Sequence, residues 1–263
     1  MNRGWYYAIF FLLALTSPVL YAEATISIII DDMGYRLALG RRAVNLPGVM
    51  TYAFLPHAPH SKFLAKKVHA QHKQVMLHQP MTAESHRNMG PGGLDMGMNA
   101  AQLASVLAGN LASVPYVEGV NNHMGSLLTQ QKSIMDLFMQ TLARRGQLFF
   151  IDSRTTSASV ALMEARENGI ASASRDVFLD DDRSPLMINR QLDILVRKAR
   201  RRGYALAIGH PYPETVDVLE ARLPQLQAEG IQMVKASVYI ADKDQKRLLW
   251  QASLSPSPRA VKN

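Results

Sequence analysis

Residues 25–34 read Thr-Ile-Ser-Ile-Ile-Ile-Asp-Asp-Met-Gly, a β-branched run that ends in two adjacent carboxylates and a glycine. Such a nearly continuous apolar run is typical of a strand buried on both faces, as in the parallel sheets of α/β proteins. Asp31 and Asp32 then lie at the carboxyl end of the strand, where α/β sheets and barrels bind ligands. Because successive strand residues point to opposite faces, the two carboxylates are expected to differ in role. One division gives a general base and a metal ligand, and the alternative is an Asp pair that caps the next helix.

The rest of the chain alternates predicted strands and helices. Four predicted helices end at a glycine that leads directly into a strand, and glycine suits the left-handed position that ends a helix: Gly146, Gly169, Gly203 and Gly230. The fourth predicted strand covers residues 117–120, and the sixth covers residues 170–179. The repeated βα unit predicts an α/β fold with right-handed crossovers, namely a distorted (β/α) barrel of about seven strands. A doubly wound open sheet is the alternative.

The first 24 residues have the pattern of a signal peptide. A short basic region is followed by an apolar core and by Ala22-Glu23-Ala24, which fits a small-x-small cleavage site. The apolar core is shorter than the ~20 residues that span a bilayer. The sequence thus predicts export to the periplasm with no stable membrane span after processing, and an uncleaved signal anchor is the alternative. The predicted domains are a signal peptide at 1–24, a barrel at 25–250 and a disordered tail at 251–263.

Composition narrows the class of protein and of ligand. The chain has 263 residues, a hydrophobic content of 48% and a formal net charge of +8. The densest basic cluster, at residues 197–202, ends a predicted helix, where cations are favourable without nucleic acid. No nucleic acid partner is therefore predicted, and a basic surface on an envelope protein would suit anionic polymers or lipid head groups. Cysteine is absent, so any bound metal must be held by His, Asp or Glu.

Polar residues collect at the carboxyl ends of the predicted strands. After the first strand, these residues are His78, Asn121-Asn122-His123, Asp152 with Arg154, Asp180, and His210. In a parallel barrel all these ends meet on one face. Any one of the histidines also fits an ordinary turn, but the set as a whole indicates a site. One Asp with two neutral imidazoles is a common ligand set for Zn²⁺ or another divalent ion.

These motifs resemble the polysaccharide deacetylases, and more closely their divergent branch of exported bacterial proteins. Ile28 to Gly34 is similar to the first motif of that superfamily, and His78 in Leu-His-Gln-Pro-Met stands where the second motif supplies histidine ligands. Asn121 to Ser126 (Asn-Asn-His-Met-Gly-Ser) is typical of the divergent branch. Asp152-Ser153-Arg154 resembles the fourth motif, and Ile208 to Pro211 resembles the last. The resemblance covers about residues 26–236.

The resemblance implies roles for single residues. Asp31 would be the catalytic base and Asp32 a metal ligand, with His210 as the general acid. Asp152 would orient the His210 imidazole or tune Asp31, and Arg154 would replace the charge of the missing Arg-Pro-Pro-Tyr motif. Backbone N–H groups near Met124-Gly125 would serve as the oxyanion donor. Low-ranked substrate contacts are Asn121, Asn122, Met124, Gly125 and Asp180.

Departures from the family pattern leave two functions open. The second histidine of the usual motif is replaced by Thr82, so we expect His123 to complete a metal site with Asp32 and His78. The metal implied is most simply Zn²⁺. One reading is a metal-dependent hydrolase of amide or N-acetyl bonds on a cell-envelope glycan. The other is a non-catalytic envelope protein with the same fold that binds glycan or a partner protein, and the sequence indicates no particular protein partner.

Overall fold

The computed structural model describes residues 24–85 and 87–254. The predicted signal peptide therefore lies outside the described residues, except for Ala24. The described residues contain nine strands: β1 Thr25–Met33, β2 Thr51–Phe54, β3 Gln74–Met81, β4 Val117–Met124, β5 Phe149–Asp152, β6 Ser172–Ser174, β7 Val177–Phe178, β8 Tyr204–Gly209 and β9 Gln232–Met233. The same part of the chain contains eight α-helices: α1 Leu37–Val44, α2 Ser61–Ala70, α3 Ala100–Ser113, α4 Lys132–Ala143, α5 Ala161–Glu167, α6 Pro185–Arg202, α7 Pro213–Ala228 and α8 Ala236–Leu254.

The strands form one parallel sheet in the order β6-β5-β4-β3-β2-β1-β8-β7, with β9 added beside β1. Its two ends, β6 and β7, follow each other in the chain and are separated only by Arg175 and Asp176. The Arg175 amide bonds to Asp152 of β5, and the Asp176 amide bonds to Leu206 of β8. The single strand predicted over 170–179 is thus broken in two, and it joins both edges of a distorted barrel. The sheet has the distorted barrel form that the sequence predicted, but eight strands lie along it where seven were predicted, because the sixth predicted strand is broken in two.

The core has two layers because β1 alternates its side chains. Ile26, Ile28 and Ile30 pack between the sheet and the surrounding helices. Ile29 points into the barrel, in a smaller cluster with Ala53, Met76 and other inward residues. At the amino ends of the strands this inner cluster includes Ala236, Tyr239 and Ile240 of α8, which closes that end. The carboxyl ends stay open for the site.

Two boundaries differ from the prediction. Helix α8 continues to Leu254, so residues 251–254 are helical and do not belong to a tail; residues 255–263 lie outside the described residues. The fourth strand extends beyond residue 120 to Met124, because its last residues pair with His78 to Met81 of β3. In the described part of the chain, no helix has the length and apolar character needed to cross a membrane.

Candidate metal and catalytic site

Both carboxylates of the first motif face the same site, although they are neighbours in a strand. The pairing of β1 with β2 shifts register between Ile30 and Met33, and Asp32 has a left-handed φ of 54°. A bulge of this kind re-aims a side chain that regular alternation would turn away. Asp31 is buried, while the Asp32 side chain keeps about a third of its surface exposed. This local break in the strand brings a buried and an accessible carboxylate together.

Asp32, His78 and His123 form a cluster that could hold one metal ion. The Asp32 Oδ1 atom lies 2.9 Å from His123 Nδ1 and 3.2 Å from His78 Nε2, and the two nitrogens are 3.2 Å apart. Ligands ~2.1 Å from a shared tetrahedral ion lie about 3.4 Å from one another. Asp32 Oδ1 is also buried without a well-formed hydrogen bond. The three donor atoms therefore fit a divalent ion, and their nitrogen and oxygen chemistry suits Zn²⁺.

The charges of this cluster suit a cation. Burial alone would raise the pKa of Asp32, but His123 and His78 outweigh it and hold that pKa well below its usual range. Asp32 is therefore a carboxylate at neutral pH. The candidate ligands come from three different strands, β1, β3 and β4, and the register that sets Pro80 beside His123 brings the two histidines together. Thr82, at the position of the usual second histidine, donates its hydroxyl to the Leu94 carbonyl and is not part of the cluster. His123 provides the second imidazole instead.

Asn121 connects the metal cluster with the candidate base. Its Oδ1 lies 2.8 Å from His78 Nδ1, and its Nδ2 donates to Asp31 Oδ1 at 2.8 Å. When His78 Nδ1–H donates a hydrogen bond to Asn121 Oδ1, the other ring nitrogen, Nε2, carries no proton. Its lone pair then faces Asp32 and His123, as a metal ligand requires. Asn121 is fully buried. The Asn121 side chain thus bonds to His78 and Asp31 and does not line the cavity, so its predicted contact with substrate stays a prediction.

Asp31 has the environment of a base. Burial raises its pKa above the usual range of an aspartate, although the charges of His78 and His210 and the bond from Asn121 oppose that effect. Its Oδ2 lies 3.7 Å from His78 Nε2, beside the candidate metal position. A carboxylate with a raised pKa next to a metal site is well placed to accept a proton.

His210 is oriented by Asp180, and not by Asp152 as predicted. Asp180 Oδ1 lies 2.9 Å from His210 Nδ1, and Asp180 Oδ2 accepts the His210 amide at 2.6 Å and the Thr215 hydroxyl at 2.8 Å. The remaining nitrogen, Nε2, lies 3.9 Å from Asp32 Oδ2. Burial would lower the pKa of His210, but the bond and charge of Asp180 more than offset it and raise the pKa to about 9. His210 is thus held as a proton donor that faces the site.

Asp152 and Arg154 build a turn beside the site. Asp152 accepts the Arg154 amide at 2.8 Å and the Ser159 hydroxyl at 2.9 Å, so both its oxygens are engaged away from His210 and Asp31. Arg175 is an arginine whose charge interacts with that of Asp31, and the sequence did not predict it. Arg175 donates to the carbonyls of Ser153 and Arg154 at 2.7 and 3.0 Å. The charged pair Arg175-Asp176 inside a predicted buried strand was the signal for it.

A cavity of about 760 Å³ opens in front of these groups. Of the predicted substrate contacts, Asn122 and Met124 line it, whereas Asn121, Gly125 and Asp180 do not. Asn122 accepts the Ser153 amide and donates to the Met124 carbonyl, which makes it a support for two loops. Asp180 is likewise a support, through His210. The cavity also has walls that were not predicted, among them Ser153, Thr155, Phe178, Gln191, Ile194 and Lys198.

Comparison with known proteins adds to this geometry. Residues 28–240 match the family described as divergent polysaccharide deacetylase. An uncharacterized protein of Haemophilus influenzae is 37% identical over 226 residues, which cover 86% of this chain and 80% of that protein. The family match contains all the residues of the cluster and of the cavity wall described above, from Asp31 to His210.

Two solved structures show the same fold. The uncharacterized protein ATU2773 from Agrobacterium tumefaciens C58 superposes with a TM-score of 0.79 at 23% identity, over 82% of this chain and 89% of that one. A mutant of BA3943, which is described as a CE4 family pseudoenzyme and comes from Bacillus anthracis, superposes with a TM-score of 0.52 at 12% identity, over 83% and 67% of the two chains. At these identities the likeness concerns the fold alone.

Proposed function

The chain belongs to the divergent polysaccharide deacetylase family, and from that premise we propose that it is a metal-dependent hydrolase of amide bonds, chiefly N-acetyl groups, on a cell-envelope glycan. The observation that carries the proposal is that Asp31 and His210 both lie next to the Asp32-His78-His123 cluster, Asp31 at 3.7 Å from His78 Nε2 and His210 at 3.9 Å from Asp32 Oδ2. Hydrolysis of an amide needs a base for water and an acid for the departing nitrogen. Export to the periplasm, where such glycans occur, is part of the same proposal.

Each step of this hydrolysis has a group in the chain to perform it. A divalent ion held by Asp32, His78 and His123 would polarise the amide carbonyl and lower the pKa of water toward ~7. Asp31 accepts the proton of the water whose oxygen forms the new bond to the acyl carbon. His210 Nε2 gives a proton to the nitrogen as the C–N bond breaks. The products are acetate and a free amine on the sugar.

Three supporting residues keep the acid and the base in their roles. Asp180 accepts from His210 Nδ1, which leaves Nε2 toward the site and favours the protonated imidazole. Asn121 donates to Oδ1 of the Asp31 carboxylate, and the other carboxylate oxygen, Asp31 Oδ2, faces His78. Arg175 adds a positive charge that opposes the effect of burial on the charged form of Asp31. The three groups explain how a buried base and a charged acid stand close together.

The alternative is a non-catalytic envelope protein that binds a glycan or a partner protein. The observation that favours it is the departure from the family pattern at two motifs, with Thr82 at the usual second histidine and Asn-Asn-His in place of Arg-Pro-Pro-Tyr. The structural relative described as a pseudoenzyme gives this alternative a precedent in the fold.

Acetate release separates the two proposals. The purified protein would be incubated with N-acetylglucosamine oligomers and with glycan strands that contain N-acetylmuramic acid, as prepared, after chelation and after Zn²⁺ is added back. We expect acetate release that chelation abolishes and Zn²⁺ restores. Absence of release from every substrate in the Zn²⁺-loaded protein, together with saturable glycan binding, would replace the hydrolase by the binding protein.

A further inference from the structure

The cavity beside the metal cluster contains one cation that the fold leaves free. Arg154, Arg175 and Lys198 are the Arg and Lys residues on its wall. Arg175 donates hydrogen bonds from Nε and Nη2 to two backbone carbonyls, and Lys198 Nζ donates to the Asp176 carbonyl at 2.8 Å. The Arg154 side chain has no hydrogen bond or ion pair with any described residue, and it is exposed. Arg154 is therefore available to a ligand.

The backbone around Arg154 is held in place on both sides. Arg154 has a left-handed φ of 51°, its amide donates to Asp152, and its carbonyl accepts from Arg175. Thr155 on its other side donates its hydroxyl to the Met124 carbonyl at 2.9 Å. Such a conformation persists in a non-glycine residue only where neighbours impose it. The backbone of Arg154, from which its guanidinium extends, is thus fixed at the wall of the cavity.

A second polar group beside Arg154 also has no partner. Ser153 is 5% exposed, lines the cavity, and its Oγ makes no hydrogen bond with the described residues. A buried hydroxyl without a partner is unfavourable unless a ligand or a water molecule completes its hydrogen bonds. Its backbone is anchored by Asn122, so the hydroxyl cannot move far to find another partner. Ser153 and Arg154 thus place an unpartnered hydroxyl and an exposed guanidinium side by side on the cavity wall.

The surface that continues the cavity along α6 is basic, whereas the wall of the cavity itself carries charges of both signs. A groove on α6 shares Ile194 and Lys198 with the cavity and carries Arg197, Arg200 and Arg201. Arg200 is paired with Glu229, whereas Arg197 and Arg201 are exposed. A ligand that leaves the cavity along α6 therefore meets positive charge, which would attract an acidic chain.

We propose that Ser153 and Arg154 form a subsite for a sugar carboxylate, so that the substrate is an acidic, N-acetylated glycan. This inference rests on the proposed function, since it names the substrate class of the same site. The planar guanidinium binds a carboxylate through two parallel hydrogen bonds, and the Ser153 hydroxyl bonds to the same sugar. The carboxylate comes either from the lactyl ether of a muramic acid residue or from a uronic acid.

The test compares binding of matched probes to the Zn²⁺-loaded full chain. The probes are a peptide-free N-acetylglucosamine–N-acetylmuramic acid oligomer, an N-acetylglucosamine–glucuronic acid oligomer, and the same two oligomers after reduction of the carboxyl groups. We expect one of the acidic oligomers to bind about tenfold more tightly than its reduced form, and the one that does identifies the source of the carboxylate. Equal affinity for acidic and reduced forms in both pairs would overturn the proposal.

Three variants assign that preference to Arg154. Arg154→Gln should bring the affinity ratio close to 1, and Arg154→Lys should leave a smaller preference because an ammonium cannot make the paired contact. Arg190→Gln on the same helix as the groove removes an equal charge outside both cavity and groove, and should keep the full ratio. A full preference in Arg154→Gln would overturn the assignment.

Acetate release, measured on the same probes, keeps this proposal separate from the hydrolase. A carboxylate preference in binding without acetate release from any probe would refute the hydrolase and leave the subsite standing. Release at equal rates and equal affinities from acidic and reduced probes would refute the subsite and leave the hydrolase standing.

Discussion

Asn121 donates a 2.8 Å hydrogen bond to Asp31, while its amide oxygen lies 2.8 Å from His78. One buried amide thus sets the orientation of a candidate metal ligand and of the candidate base. It can do so because His78 and Asn121 are paired in register on β3 and β4, and Asp31 reaches the same point from β1. Different substitutions of Asn121 should therefore affect metal binding and proton transfer to different extents.

Substitution of Asn121 should divide the two functions. Asn121→Ala removes the partner of His78 Nδ1, so we expect metal affinity to fall about 10- to 100-fold. Asn121→Asp keeps an acceptor for His78 but places a second carboxylate beside Asp31, so metal should be retained while the pH dependence of activity changes. Metal titration and pH–rate profiles measure the two effects. Loss of metal in Asn121→Asp but not in Asn121→Ala would contradict the link.

Asp31→Asn should separate chemistry from metal binding. The amide cannot accept the proton of water, so turnover should fall by at least about 100-fold, whereas the Asp32-His78-His123 cluster is untouched. Acetate release and metal content would be measured on the same sample. Asp217→Asn, on the exposed face of α7, is the matched control and should match the wild type. Retained turnover in Asp31→Asn would refute the assignment of the base.

Asp180 should control the titration of His210. In the metal-free protein the pKa of His210 is about 9, well above its ordinary value of 6.5. Its contribution to stability is therefore fully present below pH 6.5 and is lost as the pH rises through about 9. Asp180→Asn removes the charge that raises the pKa of His210, so that pKa should fall toward 6.5. The variant should then lose less stability than the wild type as the pH rises through about 9.

Two measurements check the Asp180 prediction on metal-free protein. An NMR titration of the His210 ring gives its pKa in wild type and variant. Denaturant unfolding at pH 6 and pH 9.5 gives the change in the free energy of unfolding, and we expect the wild type to lose up to about 3 kcal/mol more than the variant. An unchanged His210 pKa in Asp180→Asn would show that another group holds the proton.

Gly34 is required by the backbone that follows the two carboxylates. It has a φ of 128°, and a Cβ built there would lie 2.1 Å from Ser61 Oγ, whose hydroxyl is bonded to Leu55. We expect Gly34→Ala to lower the free energy of unfolding by more than ~2 kcal/mol. Gly109→Ala, at an open position of α3, is the control and should raise it by ~0.5–1 kcal/mol. Equal stability of the two variants would contradict this account of Gly34.

The sequence predicted the barrel and the cluster because both follow from patterns along single strands. The apolar run before Asp31 and the glycines before later strands predicted the parallel sheet, and strand ends predicted the meeting of Asp32, His78 and His123. The hydrogen-bond partners of these residues lie on other strands, and the sequence of one segment cannot show which strands are neighbours. Asp180 rather than Asp152 orients His210, because the kink at Arg175 and Asp176 carries the chain from β5 to β8.

The same limit explains the residues that were missed or misjudged. Arg175 faces the site only because the strand breaks at that point, and a pattern of burial cannot show such a break. Asn121 was expected at the open end of its strand, but β4 extends to Met124, and Asn121 is buried within it with its side chain bonded to His78. The register shift at Asp32 turns both carboxylates of the first motif to one site, contrary to regular alternation.

The metal content of the purified chain tests the central claim most directly. Elemental analysis after dialysis in Zn²⁺-containing buffer would compare the wild type with Asp32→Ala, His78→Ala and His123→Ala, and with His69→Ala on the exposed face of α2 as control. We expect about one zinc ion per chain in the wild type and the control, and none in the three cluster variants. A wild type that binds no metal, or a His123→Ala variant that binds it as well as the wild type, would contradict the three-strand site.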